Sequence, residues 1–315
     1  MLSRRRFLNR MLGASAALAL AGEGTQGALA QTASGNRRRL IVDSQVHLWK
    51  ADTPDRPWPA AAAARPQLPE PFTYDKLLPL MNEAGVDRVI IVPPSWEGDR
   101  VDYALEAARI YPDRFGVMGR IPLANAKSAD LLPAWKNQPG MLGIRVTFLG
   151  AQASWLTDGT SDWFWPAAEK ARIPVMFLAL KMSELARIAE RHPELVLIID
   201  HMGLSLEAVK AGTKENLIGQ TVSLAKYPNV SVKLSGIPAY SSEPYPFRDM
   251  TAHLRRVFDA YGPRRCYWGT DITNSFAKAS YRQRITHFTE ELDFMSEEDK
   301  DWIMGRAILT RLGWA

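Results

Sequence analysis

One cysteine, Cys266, stands in 315 residues. A lone thiol excludes an intrachain disulfide and any multi-cysteine metal site, in an oxidising compartment as well as a reducing one. Its setting in an apolar run reads as a buried thiol rather than a nucleophile. From residue 40 onward neither GxGxxG nor GxxxxGKS/T occurs, so the glycine loops that cradle dinucleotides and nucleoside triphosphates are missing from that stretch. The alanine-rich run Met11–Ala21 falls short of the roughly 20 residues a membrane-spanning helix needs. No repeat marks a solenoid or propeller. Excess charge is scarce too. Four of the 39 basic residues but only one of the 34 acidic ones lie in residues 1–30, so the rest of the chain carries a net charge of only +2. Arg37, Arg38 and Arg39 form a further local cluster ahead of the fold, and no basic face for nucleic acid is indicated.

What is present is a globular composition, 46% apolar and 23% charged, over a length ordinary for one α/β barrel. The N-terminus reads as an address. Residues 3–8 are SRRRFL, the apolar run follows, and small residues end it at Ala28, Leu29 and Ala30. These are the three parts of a secretory signal, and Arg4 and Arg5 ahead of Phe7 and Leu8 resemble a bacterial twin-arginine signal. The resemblance implies cleavage near Ala30, use of the twin-arginine export machinery, a periplasmic location and no stable membrane anchor. The expected organisation is a signal peptide at 1–30, a polar linker at 31–39 and one barrel over 40–315.

Short β-branched runs then alternate with longer amphipathic ones, the pattern of βα units on a parallel sheet. Eight runs are expected as strands: 39–49, 87–93, 114–121, 141–148, 173–180, 195–202, 230–236 and 265–272. Helices are expected at 74–84, 102–111, 163–171, 182–191, 215–226 and 247–261, with Gly85, Pro112, Pro193 and Pro228 as stops. The period favours a distorted (β/α)8 TIM barrel over an open sheet. Two long connections, 50–71 and 150–162, are expected over the strand C-termini.

Catalytic groups of such barrels project from strand C-termini. The first strand ends in Asp43, Gln45 and His47, whose spacing puts all three on one face; the sixth ends in Asp200 and His201, the eighth in Asp271. DSQVHLW, IDHMG and WGTDIT, with the closing MGRAILTRL, resemble the amidohydrolase superfamily and its amidohydrolase-related branch of lactonases and decarboxylases. The resemblance spans about the whole chain after residue 39 and implies a hydrolase in which Asp271 activates water and protonates the leaving group. His47 and His201 would polarise the carbonyl, and Asp43 would orient a neighbour. Gln45 stands where that family has the first histidine of a His-x-His pair, Arg145 stands where two-metal members have a bridging lysine, and the fifth strand brings no histidine. A two-metal centre is therefore not expected. Two readings of the cofactor remain open. One has a single divalent ion, zinc or manganese, held by His47, His201 and Asp271 with Gln45 or water; the other has no metal.

Arg120, Arg145 and Lys233 lie in or at the ends of strands three, four and seven, where a buried cation must find an anion. They point to an anionic substrate or to internal partners such as Asp43 and Asp200, with Trp49, Trp268 and Tyr240 as candidate walls. His192 reads as a helix-end residue, and His253 and His287 as surface residues of helices. The leading expectation is hydrolysis of a small, anionic lactone or cyclic ester with Asp271 as base. The alternatives are a metal-dependent, non-oxidative decarboxylase of an aromatic or unsaturated acid and a non-catalytic barrel that binds a small molecule.

Overall fold

Each of the eight β-branched runs forms a strand: β1 (Val42–Val46), β2 (Arg88–Ile91), β3 (Phe115–Gly119), β4 (Met141–Phe148), β5 (Val175–Ala179), β6 (Leu197–Ile199), β7 (Val230–Ser235) and β8 (Cys266–Gly269). The computed structural model describes residues 38–60 and 66–315, so the expected export signal and most of the linker lie outside the described residues. Neighbours pair in chain order and every pair is parallel, giving a nearly closed eight-stranded barrel with helices between strands.

The strand period sorts the side chains. Val42, Ile90, Met118, Met176, Ile198 and Tyr267 pack together inside the barrel, where Ile308 and Leu312 of the last helix join them. That helix sits at the entry end of the strands: a Cβ on Gly305, just before it, would come within 2.8 Å of the Leu40 carbonyl ahead of β1. Residues of the other parity, such as Val89, Ile91, Val117 and Val175, bury against the outer helices. Helix Met182–Arg191 turns Met182, Leu185 and Ile188 onto the sheet at helical spacing. Helix Tyr74–Ala84 ends where Gly85 takes the left-handed conformation, φ 78°, and returns its N–H to the Met81 and Asn82 carbonyls.

The β1/β8 seam closes differently. The Asp271 N–H donates to the Gln45 carbonyl at 2.8 Å, and the rest of the junction uses side chains: Ser44 Oγ donates to the Trp268 carbonyl at 2.7 Å and the Thr270 N–H to Asp43 Oδ1 at 2.8 Å. Gly269 is required there, because a Cβ would sit 2.6 Å from Ser44 Oγ. The alternation expected for Asp43, Gln45 and His47 breaks at an irregularity in register between Asp43 and Val46. Asp43 turns into the seam, where it also accepts from the Thr270 hydroxyl and, at 2.7 Å, from the Tyr281 hydroxyl. Burial raises its pKa, and these donors oppose the rise.

The long connections hold two ends of the mouth. In the first, Arg56 pairs with Glu97 and Asp102 after β2, and Gln67 accepts from the Thr273 hydroxyl after β8. The second folds into a short turn, Gly150–Leu156, beside Arg120 and Arg145. Among the described residues no helix is long and apolar enough to cross a membrane.

His287 departs from expectation. A wide turn of i to i+5 geometry at His287–Glu291 follows helix Tyr281–Thr286 and turns the imidazole inward between the Phe247 and Phe288 rings, where it is 1% exposed. Burial lowers its pKa to about 4. The unfolded chain protonates this group near its ordinary value of about 6.5 and the folded chain near 4, so between those values the unfolded state binds more protons and stability falls as pH falls. The melting temperature of His287→Phe is expected to decline less steeply than wild type between pH 6.5 and 4; parallel curves would place the acid sensitivity elsewhere.

Candidate active site

The C-terminal ends of β1, β6, β7 and β8 bring five polar side chains together. Asp271 follows β8 at φ 46°, and His201 and Met202 follow β6 at 52° and 57°. Three of the five non-glycine residues with left-handed backbone among the described residues thus lie at two strand ends. Such conformations cost of order 1–3 kcal/mol each and persist only where surroundings enforce them. Here the Thr221 hydroxyl holds the Met202 carbonyl at 2.9 Å, and the seam bond holds Asp271.

Asp271 is 2% exposed. Its Oδ1 lies 3.4 Å from His47 Nε2 and its Oδ2 3.8 Å from His201 Nε2. Oδ1 accepts no hydrogen bond within the protein. His47 Nδ1 lies 2.6 Å from the Val92 carbonyl, which can only accept, so the proton of the neutral ring is on Nδ1 and Nε2 carries a lone pair. His201 Nδ1 meets Ser235 Oγ at 2.8 Å. Burial first, then the charge of Arg145, lowers the His47 pKa to about 3; burial lowers that of His201 to about 4 against the pull of Asp271. Both rings are therefore neutral at neutral pH.

The cations lie beneath. Asp200 Oδ1 pairs with Lys233 Nζ at 2.6 Å and Oδ2 with Arg145 Nε at 3.0 Å, all three side chains being buried. Burial alone would raise the Asp200 pKa, but the two cations hold it below the carboxylate range. Lys233 also donates to the Gln45 side-chain oxygen and, at 3.3 Å, to the Ser44 carbonyl. An ammonium can only donate, so it fixes the amide: the oxygen faces Lys233 and the NH2 faces His47 Nε2 at 3.4 Å. With neutral imidazoles, two cations and the carboxylates of Asp200 and Asp271, the buried set is electrically balanced. Of the two readings the sequence left open for Lys233 and Arg145, a substrate anion or internal partners, both side chains take the internal partner Asp200.

The four side chains considered as metal ligands fit a divalent ion poorly. The Gln45 oxygen is committed to Lys233, its NH2 faces the His47 lone pair, and the fixed charges of Lys233 and Arg145 bear on the same space. Among the described residues no group of three or more His, Cys, Asp or Glu side chains is arranged to hold a metal.

Other sequence candidates divide between wall and core. Tyr240 lies against the His201 ring at 5.9 Å, and burial keeps its hydroxyl protonated. Trp49 packs against Trp96 and Phe72, and Trp268 donates its indole N–H to the Arg284 carbonyl at 3.1 Å; both are core side chains rather than open walls. His192 pairs with Glu169 at 2.8 Å and His253 with Glu215 at 3.4 Å, away from this cluster. Cys266 is buried. Sequence reasoning missed Ser235 as the partner of His201, although its place two residues beyond Lys233 puts it on the same face of β7.

An L-fucono-1,5-lactonase of Burkholderia ambifaria is 25% identical over 238 residues, covering 73% of this chain and 79% of that one. A 4-sulfomuconolactone hydrolase of Hydrogenophaga intermedia is 24% identical over 224 residues, 67% and 68% of the two chains. Among solved structures, a Burkholderia multivorans amidohydrolase with bound zinc superposes with a TM-score of 0.72 at 21% identity, covering 87% of this chain and 99% of that one, a likeness of fold. The amidohydrolase family profile matches residues 42–308. The protein therefore belongs to the amidohydrolase family and is an enzyme of the hydrolase class.

Proposed function

We propose that this enzyme opens a small lactone by attack of water, with Asp271 as general base. The observation that carries the proposal is Asp271 Oδ1, a buried acceptor with no hydrogen-bond donor within the protein, 3.4 Å from His47 Nε2. That oxygen calls for a proton donor, and an O–H of an attacking water supplies it, while the Gln45 NH2 engages His47 Nε2. As the water oxygen bonds to the lactone carbonyl carbon, its proton passes to Asp271. Negative charge gathers on the carbonyl oxygen, within reach of the Tyr240 O–H and the field of Arg145. Collapse breaks the ring C–O bond, and the proton held by Asp271 goes to the leaving alkoxide, giving a hydroxy acid. The relatives whose names state a lactone substrate support this class of reaction. The anionic substrate expected from sequence then rests on Arg120, because Asp200 engages the other two cations.

This mechanism uses no step through a metal, in keeping with the poor fit of Gln45. The twin-arginine reading of residues 1–30 adds that the enzyme works in the periplasm. One experiment tests these points together: enzyme recovered from the periplasmic fraction is assayed on a lactone panel before and after exhaustive chelation, with product analysis. Hydroxy-acid formation undiminished by chelation is expected. Loss of turnover restored by zinc or manganese would return Asp271, His47 and His201 to the role of ligands, and carbon dioxide release would favour decarboxylation.

A further inference from the structure

We propose that Arg284 is a positioning residue for the catalytic carboxylate, a guanidinium clamp on the loop that carries Asp271; the proposal rests on the reading of Asp271 as general base. Arg284 belongs to helix Tyr281–Thr286 and is 3% exposed. Its Nη1 donates to the Ser275 hydroxyl at 3.0 Å and to the Thr270 carbonyl at 3.4 Å, and its Nη2 to the Ser275 carbonyl at 2.7 Å and the Ala279 carbonyl at 3.2 Å. One side chain thus ties the beginning, middle and end of the segment that follows β8, and the first tie is on the residue directly before Asp271.

That segment needs such a brace. Asp271 sits at φ 46°, and the turn Ile272–Lys278 is interrupted at Ser275, so no continuous helix sets its shape. Buried carbonyls must find donors. A guanidinium carries five N–H donors in one plane and serves several backbone positions at once, where an ammonium offers three from a single point. The helix that presents Arg284 is itself fixed to both strands of the seam. Tyr281, one turn earlier and on the same helix face, donates to Asp43 of β1 at 2.7 Å, and the Trp268 indole of β8 donates to the Arg284 carbonyl at 3.1 Å. Arg284 therefore transmits the position of the β1/β8 junction to Asp271.

The chemistry of the clamp is more than space-filling requires. The hydrogen bonds of its guanidinium all go to neutral oxygens, and a buried cation held without a contacting carboxylate is costly. Burial draws its pKa down to about 10 against the charges of Asp271 and Asp43, so it is still a cation at neutral pH. What the guanidinium adds is geometry, at a place where misplacing the base by about 1 Å costs on the order of 10²-fold in rate.

The test is a double-mutant cycle on the full chain, run with the lactone that wild type opens fastest and with melting temperature recorded alongside. Arg284→Lys keeps the buried charge and gives up the fork. Its kcat is expected to fall about 10–100-fold with KM little changed, since substrate contacts are untouched. Placed on Asp271→Asn, the same substitution should lower kcat no further, because Arg284 acts only through that carboxylate. Ser275→Ala, which removes one acceptor and leaves the arginine in place, should show the same loss confined to kcat at smaller size. Equal loss with and without Asp271, or a loss carried by KM, overturns the clamp, and so does an unchanged kcat in Ser275→Ala should Arg284→Lys fail to fold. If Asp271→Asn alone keeps wild-type turnover, the base reading falls and the clamp with it. If wild type opens no lactone, the lactone reading falls while amide hydrogen exchange still decides the clamp: faster exchange confined to residues 270–279 in Arg284→Lys sustains it, and unchanged exchange there overturns it.

Discussion

Asp271→Asn is expected to lower kcat by about 10²–10⁴-fold, the usual contribution of a positioned general base, while stability changes by no more than about 1 kcal/mol. Asparagine is the informative substitution because position 271 sits at φ 46°, a region asparagine tolerates and a branched or bulky residue does not. It also leaves intact the backbone bonds that fix the strand end, from the Asp271 N–H to Gln45 and from Asn274 to the Asp271 carbonyl. Two electrostatic changes oppose each other. A buried carboxylate oxygen with no hydrogen-bond donor is lost, which favours the folded state. The attraction of that carboxylate for Lys233 and Arg145 is lost as well, which disfavours it. Urea unfolding alongside steady-state kinetics separates the effects. If the variant keeps more than a tenth of wild-type kcat, another group removes the proton.

Strand positions were legible because each strand is an apolar, β-branched run of strand length bounded by helix or proline signals; Met141–Phe148 agrees with expectation to the residue. His47, His201 and Asp271 stood out for a related reason, as polar residues ending runs whose interiors are buried. Partner choice was not legible. The pattern around Lys233 announces a buried cation but cannot say that its partners are Asp200 and Gln45, brought from two other strands by barrel closure. The face of Asp43 was misread because one register irregularity in β1 reverses the parity on which the reading depended. His287 was misread because helical spacing projects it outward, and the wide turn that carries it inward has no signature in composition.

Removing Asp200 should cost more than removing either of its partners singly. Asp200→Asn leaves Lys233 and Arg145 buried, close together and without a shared counter-charge; breaking a buried pair in this way costs about 3–5 kcal/mol, or a fall in melting temperature on the order of 10 °C for a domain of this size. Lys233→Met should cost distinctly less. Arg145 still neutralises Asp200 at 3.0 Å, and methionine fills most of the lysine's volume, although the Nζ donation to Met176 Sδ at 3.2 Å is lost. The double variant Asp200→Asn, Lys233→Met is then expected to be more stable than Asp200→Asn alone, since it removes one of two stranded cations. That reversal is the signature of charge balance, because a loss of ordinary contacts would make the double variant the least stable of the three. It also bears on catalysis. With Lys233 gone the Gln45 amide is free to turn over and place its oxygen toward His47, so turnover in Lys233→Met should fall further than its stability requires. Melting curves and kinetics on the three variants decide the matter, and a double variant weaker than both singles would mean that packing, not charge, holds Gln45 in place.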